Sequence, residues 1–453
     1  MRSIATASLL VLTLVFFNAG ISPTPVAAEN WPHWRGPNFD GTTDEKGLPT
    51  TWSATEDGSE NIRWQVDLPG PAGSTPAVWQ DRIFVTSGDK AGDGLWVMAF
   101  DRSGKELWRS AVSSGSLKIM EQFAHETNAA ASSPVTDGKR LYTLFGTGEL
   151  SAFDFDGKRL WRADLTERYG KPNMYFGLST SPLVIGDRLY MHLLHTDAQL
   201  VLALDTKTGA ELWKHERATD ATGECLHSYA SVMPFKSKTG GESLLVHGSD
   251  YITAHALKDG AELWRYGTVN PKDNYNSFFR LVASPVAVDG LIVVPTAKRG
   301  PVFGLRPDDA KGDKKTNETL LSWKLDKGTP DVPSPVVSGG LVYLAGENGR
   351  LTVLDAKTGE TVYAERVHQS QHRGSPILAD GKLFLTATDG TVSVVRPGRT
   401  FEVLSKNQVG GGRLAASPAI SDGTIYLRTF EKLYAVGKSD AKKADEKPLK
   451  DPS

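Results

Sequence analysis

The chain has 453 residues, of which 39% are hydrophobic, 23% charged and 9% aromatic, with 45 glycines and 25 prolines. This composition excludes a disordered chain, and the load of turn formers points to many short strands rather than long helices. A formal net charge of −2 supplies no field to gather nucleic acid or an anionic membrane, and a lone cysteine, Cys225, excludes an internal disulfide or a cysteine-rich zinc site.

Residues 1–28 read as a signal peptide. Met1-Arg2 gives a positive start, Leu9 to Phe17 is an apolar run, and Val26-Ala27-Ala28 offers small residues for cleavage after Ala28. The run falls short of the ~20 residues that a membrane span requires, and no cysteine follows it to carry a lipid. The mature chain is expected to be exported, periplasmic or extracellular, soluble and monomeric, and held together by packing. A lead-in follows over 29–60, opening on Trp31-Pro32-His33-Trp34-Arg35-Gly36-Pro37.

From Ser74 onward one unit repeats, and such periodicity decides the fold. Ser-Pro heads stand at Ser133, Ser181, Ser284, Ser334, Ser375 and Ser417; Ser74-Thr75-Pro76 is a variant, and Ser231-Val232 holds the place without the proline. Each head begins a short strand, where proline's missing N–H costs little. Asp-Gly or Gly-Gly pairs follow (Asp289-Gly290, Gly339-Gly340, Asp380-Gly381, Asp422-Gly423), as a two-residue hairpin turn requires. The tail of the unit is clearest from Ala203 to Trp213, where Asp205 and Thr208 can bond the turn's own backbone and Gly209 can adopt positive φ. Equivalent tails end at Trp64, Trp108, Trp161, Trp264 and Trp323, with Tyr363 and Val403 as weaker versions. These indoles are expected to dock between repeats.

Four strands per unit and eight units predict an all-β, eight-bladed propeller over residues 61–437. The eighth head is followed by only two further strands, at 424–427 and 433–436, whereas an orphan tail, Ile62 to Asp67, precedes the first head. That N-terminal strand is expected to complete the last blade and close the ring. Residues 438–453 interleave lysines with acids and read as a disordered tail.

The spacing Ala203-x-Asp205-x-x-Thr208-Gly209-x-x-x-Trp213 resembles the tryptophan-docking motif of quinoprotein-type, pyrroloquinoline-quinone-like eight-bladed propellers, over roughly residues 60 to 437. The lead-in, with Gly47-Leu48-Pro49-Thr50-Thr51-Trp52, is similar to the opening of exported bacterial propellers that carry this repeat. The family holds quinone-dependent alcohol and glucose dehydrogenases, and also the cofactor-free propeller lipoprotein of the outer-membrane β-barrel assembly machinery. The resemblance thus implies a scaffold and leaves function open. The dehydrogenases commonly present a vicinal disulfide, calcium-binding acidic and amide residues and a catalytic aspartate. One cysteine, and no convergent acidic set at the heads, depart from that pattern.

In a propeller the loops feeding each innermost strand converge on one channel end. Five residues before each head's proline, or before Val232, stand Pro71, Ala129, Gly177, His227, Arg280, Pro330, Gln371 and Arg413. With Tyr229, His372 and Arg373 nearby, His227, Arg280 and Arg413 predict a basic arc, and guanidinium forks suit carboxylates, phosphates or sulfates. The feeder loops of blades two to five are long and carry Tyr169, Met174, Tyr175, Phe176, Tyr275, Phe278 and Phe279, a possible lid or partner surface. Metal ligation is not expected: His192 and His195 fall on opposite strand faces, and His125 and His368 are scattered. Cys225 lies near His227 and Glu224, a nucleophile and base pair by residue type, without an identifiable group to position it. The favoured reading is a non-catalytic module binding a protein partner or an anionic small molecule or glycan, with no cofactor and no nucleic acid. The alternative is a pyrroloquinoline quinone (PQQ) and Ca2+ dependent dehydrogenase of alcohols or sugars.

Overall fold

Alternation and turn chemistry build each blade. In the hairpin at Ser421–Thr424, Asp422 and Gly423 take φ of 56° and 61°, the left-handed pair that lets antiparallel strands reverse in two residues. The turn ahead of Trp213 is held from within: Asp205 Oδ1 accepts the N–H groups of Lys207 and Thr208 at 2.9 and 2.8 Å and the Thr208 hydroxyl at 2.8 Å. Gly209 there sits at φ 68°, and a Cβ on it would lie 2.7 Å from the Trp161 ring of the preceding blade.

A computed structural model describes residues 29–55, 58–91, 94–115, 128–267, 269–309 and 319–438. Residues 1–28, expected to be a signal peptide, His125 and almost all of the 438–453 tail lie outside the described residues. The chain forms eight antiparallel sheets arranged as blades. Their innermost strands are Ala77–Trp79, Val135–Thr136, Leu183–Ile185, Met233–Lys236, Val286–Val288, Val336–Ser338, Ile377–Ala379 and Ala419–Ser421. The only α-helix among the described residues, Leu165–Tyr169, is capped by the Asp164 carboxylate.

Closure follows the predicted register. Ile62–Asp67 pairs antiparallel with Lys432–Val436, Gln65 opposite Tyr434 and Val66 opposite Leu433, as the outer strand of the eighth blade. The lead-in does more than the sequence suggested. Ser53–Thr55 and Gly58–Glu60 extend the seventh blade to six strands, and Trp31, Leu48 and Trp52 join the core shared by the seventh, eighth and first blades.

The docking tryptophans repeat one geometry. Nε1 of Trp64, Trp108, Trp161, Trp213 and Trp323 donates to Arg102, Phe155, Thr206, Leu257 and Ala356 carbonyls of the next blade at 2.7–3.1 Å. Each ring lies against a turn glycine there (Gly104, Gly157, Gly209, Gly260, Gly359), where a Cβ would come within 2.5–2.7 Å of it. Trp264 instead packs into a cluster with Phe303 and Leu305, since the fifth blade's corresponding connection is longer.

Candidate binding site at the channel mouth

The head serines wall the channel. The Oγ of each accepts the N–H of the equivalent residue one blade earlier: Thr75 to Ser133, Ser133 to Ser181, Ser181 to Ser231, Ser231 to Ser284, Ser284 to Ser334, Ser334 to Ser375 and Ser375 to Ser417, all at 2.8–3.0 Å. These residues surround a central cavity of about 190 Å³.

On the side where the innermost strands end, the lead-in crosses the channel. Trp31 exchanges both backbone hydrogen bonds with Val78 of the first blade at 2.8 Å, and Pro32 O accepts from Thr136 of the second. Fully buried Arg35 donates to the carbonyls of Pro335 and Pro376, so one guanidinium ties the sixth and seventh heads together. Glycines make this possible: a Cβ on Gly36 would strike the Trp31 ring at 2.7 Å, and one on Gly41 the Arg35 guanidinium at 2.6 Å. Trp34, between these anchors, lines the cavity.

On the feeder-loop side lies the mouth. Phe176, Tyr229, Arg280 and Arg373 line the cavity there. Arg280 sits over the Phe176 ring at 4.9 Å, and Phe176 meets Tyr229 edge-on at 5.6 Å. Three carboxylates converge on the cations. Glu224 and Asp331 lie 3.5 and 3.7 Å from Arg280, Glu347 lies 3.1 Å from Arg373, and Lys298 pairs with both Asp331 and Glu347. Burial pushes the Glu224 and Asp331 carboxyls above their usual range, against the pull of Arg280. The basic arc expected from sequence is therefore balanced, cation for carboxylate. Glu224, Lys298, Asp331 and Glu347 are the residues that sequence reasoning left out of the site.

The predicted residues separate into three groups. Tyr229, Arg280 and Arg373 share the cavity. His227 stands beside it, edge-on to Tyr175 at 5.0 Å with Nε2 on the Thr196 hydroxyl at 3.0 Å, and burial lowers it to about 4. His372 is buried against the Thr386 carbonyl at 2.7 Å, and Arg413 borders a separate open hollow with Ser370 and Gln408; neither lines the cavity. The feeder loops of the fourth and fifth blades lock together beside the mouth. Buried Asp250 accepts from Asn270, Lys272 and Tyr275 at 3.0, 3.3 and 2.7 Å, and Glu224 N–H bonds Ser277 O at 2.9 Å. Above them Phe278 is 71% and Tyr175 45% exposed.

The donor set does not fit a calcium–quinone centre. Cys225 has no second thiol, and its Sγ is held at 3.0 Å on Asn276 O, with burial raising the thiol. The carboxylates at the mouth are engaged with Arg280, Lys298 and Arg373, and no trio of His, Cys, Asp or Glu among the described residues is placed to hold a metal ion. No helix among the described residues is long and apolar enough to cross a membrane.

The sequence profile of the family described as outer membrane protein assembly factor BamB matches residues 93–305 and 313–453. Individual relatives are distant. The BamB of Yersinia pestis is 24% identical over 248 residues, covering 50% of this chain and 56% of that protein, so the match spans only about half of this relative. The BamB of Moranella endobia is 23% identical over 362 residues, covering 79% and 80%. Among solved structures, BamB from Moraxella catarrhalis superposes with a TM-score of 0.58 at 15% identity, covering 82% of this chain and 98% of that one. A europium-containing methanol dehydrogenase superposes with 0.62 at 13% identity, covering 90% and 89%. At such identities these structures share the fold alone, and the fold is common to a binder and an enzyme.

Proposed function

The chain belongs to the outer membrane protein assembly factor BamB family, and from that membership we propose that it is an exported, non-catalytic scaffold that holds a protein partner against the channel mouth during outer-membrane protein assembly. The observation that carries this reading is the pair of exposed aromatics, Phe278 on the interlocked loops of the fourth and fifth blades and Tyr175 on the third blade's loop against His227, beside a neutral charge network. Aromatic side chains on an ordered support are what protein interfaces use as anchors. Order in the free state also lowers the entropic cost of association. A balanced set of three cations and three carboxylates suits a polypeptide bearing both charges.

The dehydrogenase alternative needs a metal and a quinone that the mouth residues do not fit. Capture on the immobilised chain of components of the outer-membrane assembly machinery tests the proposal. Phe278→Ser with Tyr175→Ser is expected to lower capture by about tenfold or more, the loss of one hot-spot contact, with an unchanged melting midpoint. Leu107→Ser, at a 37% exposed position on the outer rim, should leave capture intact. Equal loss in both variants, or none in either, overturns the mouth as the binding face.

A further inference from the structure

The cavity wall sets hydrogen-bond donors among small apolar residues such as Ala131, Val282, Val332 and Ala415. Seven head serines already accept a backbone N–H through Oγ. Among the described residues none of these hydroxyls donates to a protein acceptor, and all seven residues line the cavity. Two further cavity residues carry buried polar atoms without a partner, the Tyr229 hydroxyl and the Trp34 indole Nε1; Tyr229 is 7% exposed. Arg280 adds a guanidinium whose carboxylate neighbours stand at 3.5 and 3.7 Å, well beyond the ~2.7–2.9 Å of a charge-assisted bond. Buried donors left unpaired are costly, and a donor-rich wall selects an occupant rich in acceptors.

We propose that the serine ring, entered from the mouth, binds a carboxylate group, with Arg280 and Tyr229 meeting it at the rim and the serine hydroxyls nearest them completing its shell. An ionised carboxylate is acceptor-only and offers about four lone-pair directions, which matches a wall of hydroxyls. The cavity, about 190 Å³, is below the ~300 Å³ of pockets that take drug-sized ligands. It therefore admits a small acid or the end of a peptide. This site lies inside the channel and does not depend on the scaffold reading, so loss of partner capture and loss of carboxylate binding are separate results.

Calorimetric titration of the purified full chain, at constant ionic strength in sodium chloride, tests it with succinate, with trialanine bearing a free C-terminus, and with trialanine amide. Heat with succinate alone assigns a small acid, and heat with free-acid trialanine alone assigns a chain end; the amide is expected to give none. Tyr229→Phe should weaken binding by about three- to tenfold, the net worth of one hydrogen bond. The free protein's melting midpoint, measured alongside, separates lost binding from lost fold. Arg280→Gln should weaken it further. No heat from either acid, equal binding of acid and amide, or undiminished binding by Tyr229→Phe overturns the proposal, as does a succinate-soaked crystal with only water inside the ring.

Discussion

The Oγ of Ser284 accepts the backbone N–H of Ser231 at 2.9 Å, across the boundary between the fourth and fifth blades. Ser231 is the head that lacks a proline, and it still accepts from Ser181 at 2.9 Å. A hydroxyl residue, serine at seven heads and Thr75 at the first, is thus the constant of the repeat, and at the seven serines the hydroxyl satisfies an N–H that the innermost strand turns away from its own sheet. Ser284→Ala leaves the Ser231 N–H buried without a partner and is expected to cost about 1–3 kcal/mol. Ser284→Thr should recover most of that. Urea unfolding of the two variants separates hydroxyl from shape, and equal stability of Ser284→Ala and the parent would remove the ring from the list of stabilising contacts.

Docking contacts are two-sided, so each can be broken from either blade. Trp161 is half-buried, and its loss should cost less than emptying a fully buried site: about 2–4 kcal/mol for Trp161→Ala. Gly209→Ala attacks the same contact from the other side, through a Cβ 2.7 Å from the ring and a backbone at φ 68°, and is expected to cost at least 1 kcal/mol, about what a mismatched φ costs alone. The double variant should cost less than the sum, since both remove one contact. Strict additivity in thermal unfolding would mean the two residues do not share it.

Trp31 is fully buried in the core of three blades, so Trp31→Ala is expected to cost about 3–5 kcal/mol. Removing residues 29–68 also strips the outer strand from the eighth blade and exposes its edge. Light scattering and unfolding of that truncated chain should show aggregation. A soluble, cooperative fold after the deletion would contradict the closure described above.

Burial holds several histidines neutral: His33 is lowered to about 3, and His192, His227, His247 and His255 to about 4. Their folded values lie below the unfolded one of ~6.5. Between these limits the unfolded chain binds protons that the folded chain does not, so stability is present above pH ~6.5 and is lost as pH falls toward 4. Glu224 and Asp331, raised by burial, act in the opposite sense and offset part of the loss. The urea midpoint should fall across this window, and His247→Gln should flatten the fall. A midpoint that rises on acidification would show the carboxyls to dominate.

Blades, hairpin turns, docking tryptophans and closing strand were legible in the sequence because each is encoded within a few residues. Asp205, Thr208 and Gly209 make their turn with their own backbone, and the orphan strand at 62–67 had one blade left to complete. The serine ring was not legible in the same way: a hydroxyl's partner on the next blade leaves no trace in its own segment. The acids of the mouth were missed for a geometrical reason. Second strands run antiparallel to first strands, so the hairpins after them return to the end where the feeder loops arrive. Lys298 and Glu347 sit in those hairpins and not in the feeder loops, and Asp331 stands one residue after the entry position of its blade, Pro330. Arg413 stands at an equivalent entry position and His372 one residue after another, Gln371, but the loops around them turn the side chains elsewhere.

The lead-in also imposes an order of events. Arg35 reaches Pro376 across 341 residues of sequence, Trp52 reaches Asn407 across 355, and Arg63 reaches Thr424 across 361. Synthesis delivers these N-terminal residues first, yet their seats are built from residues that arrive last. Until the eighth blade is made, Trp31, Trp34 and Trp52 have no complete pocket, and the strand at 62–67 has no neighbour. Loop closure over such distances is slow. The ring therefore locks as a late, whole-chain event, and a chain shortened at its C-terminal end leaves its N-terminal end unseated as well.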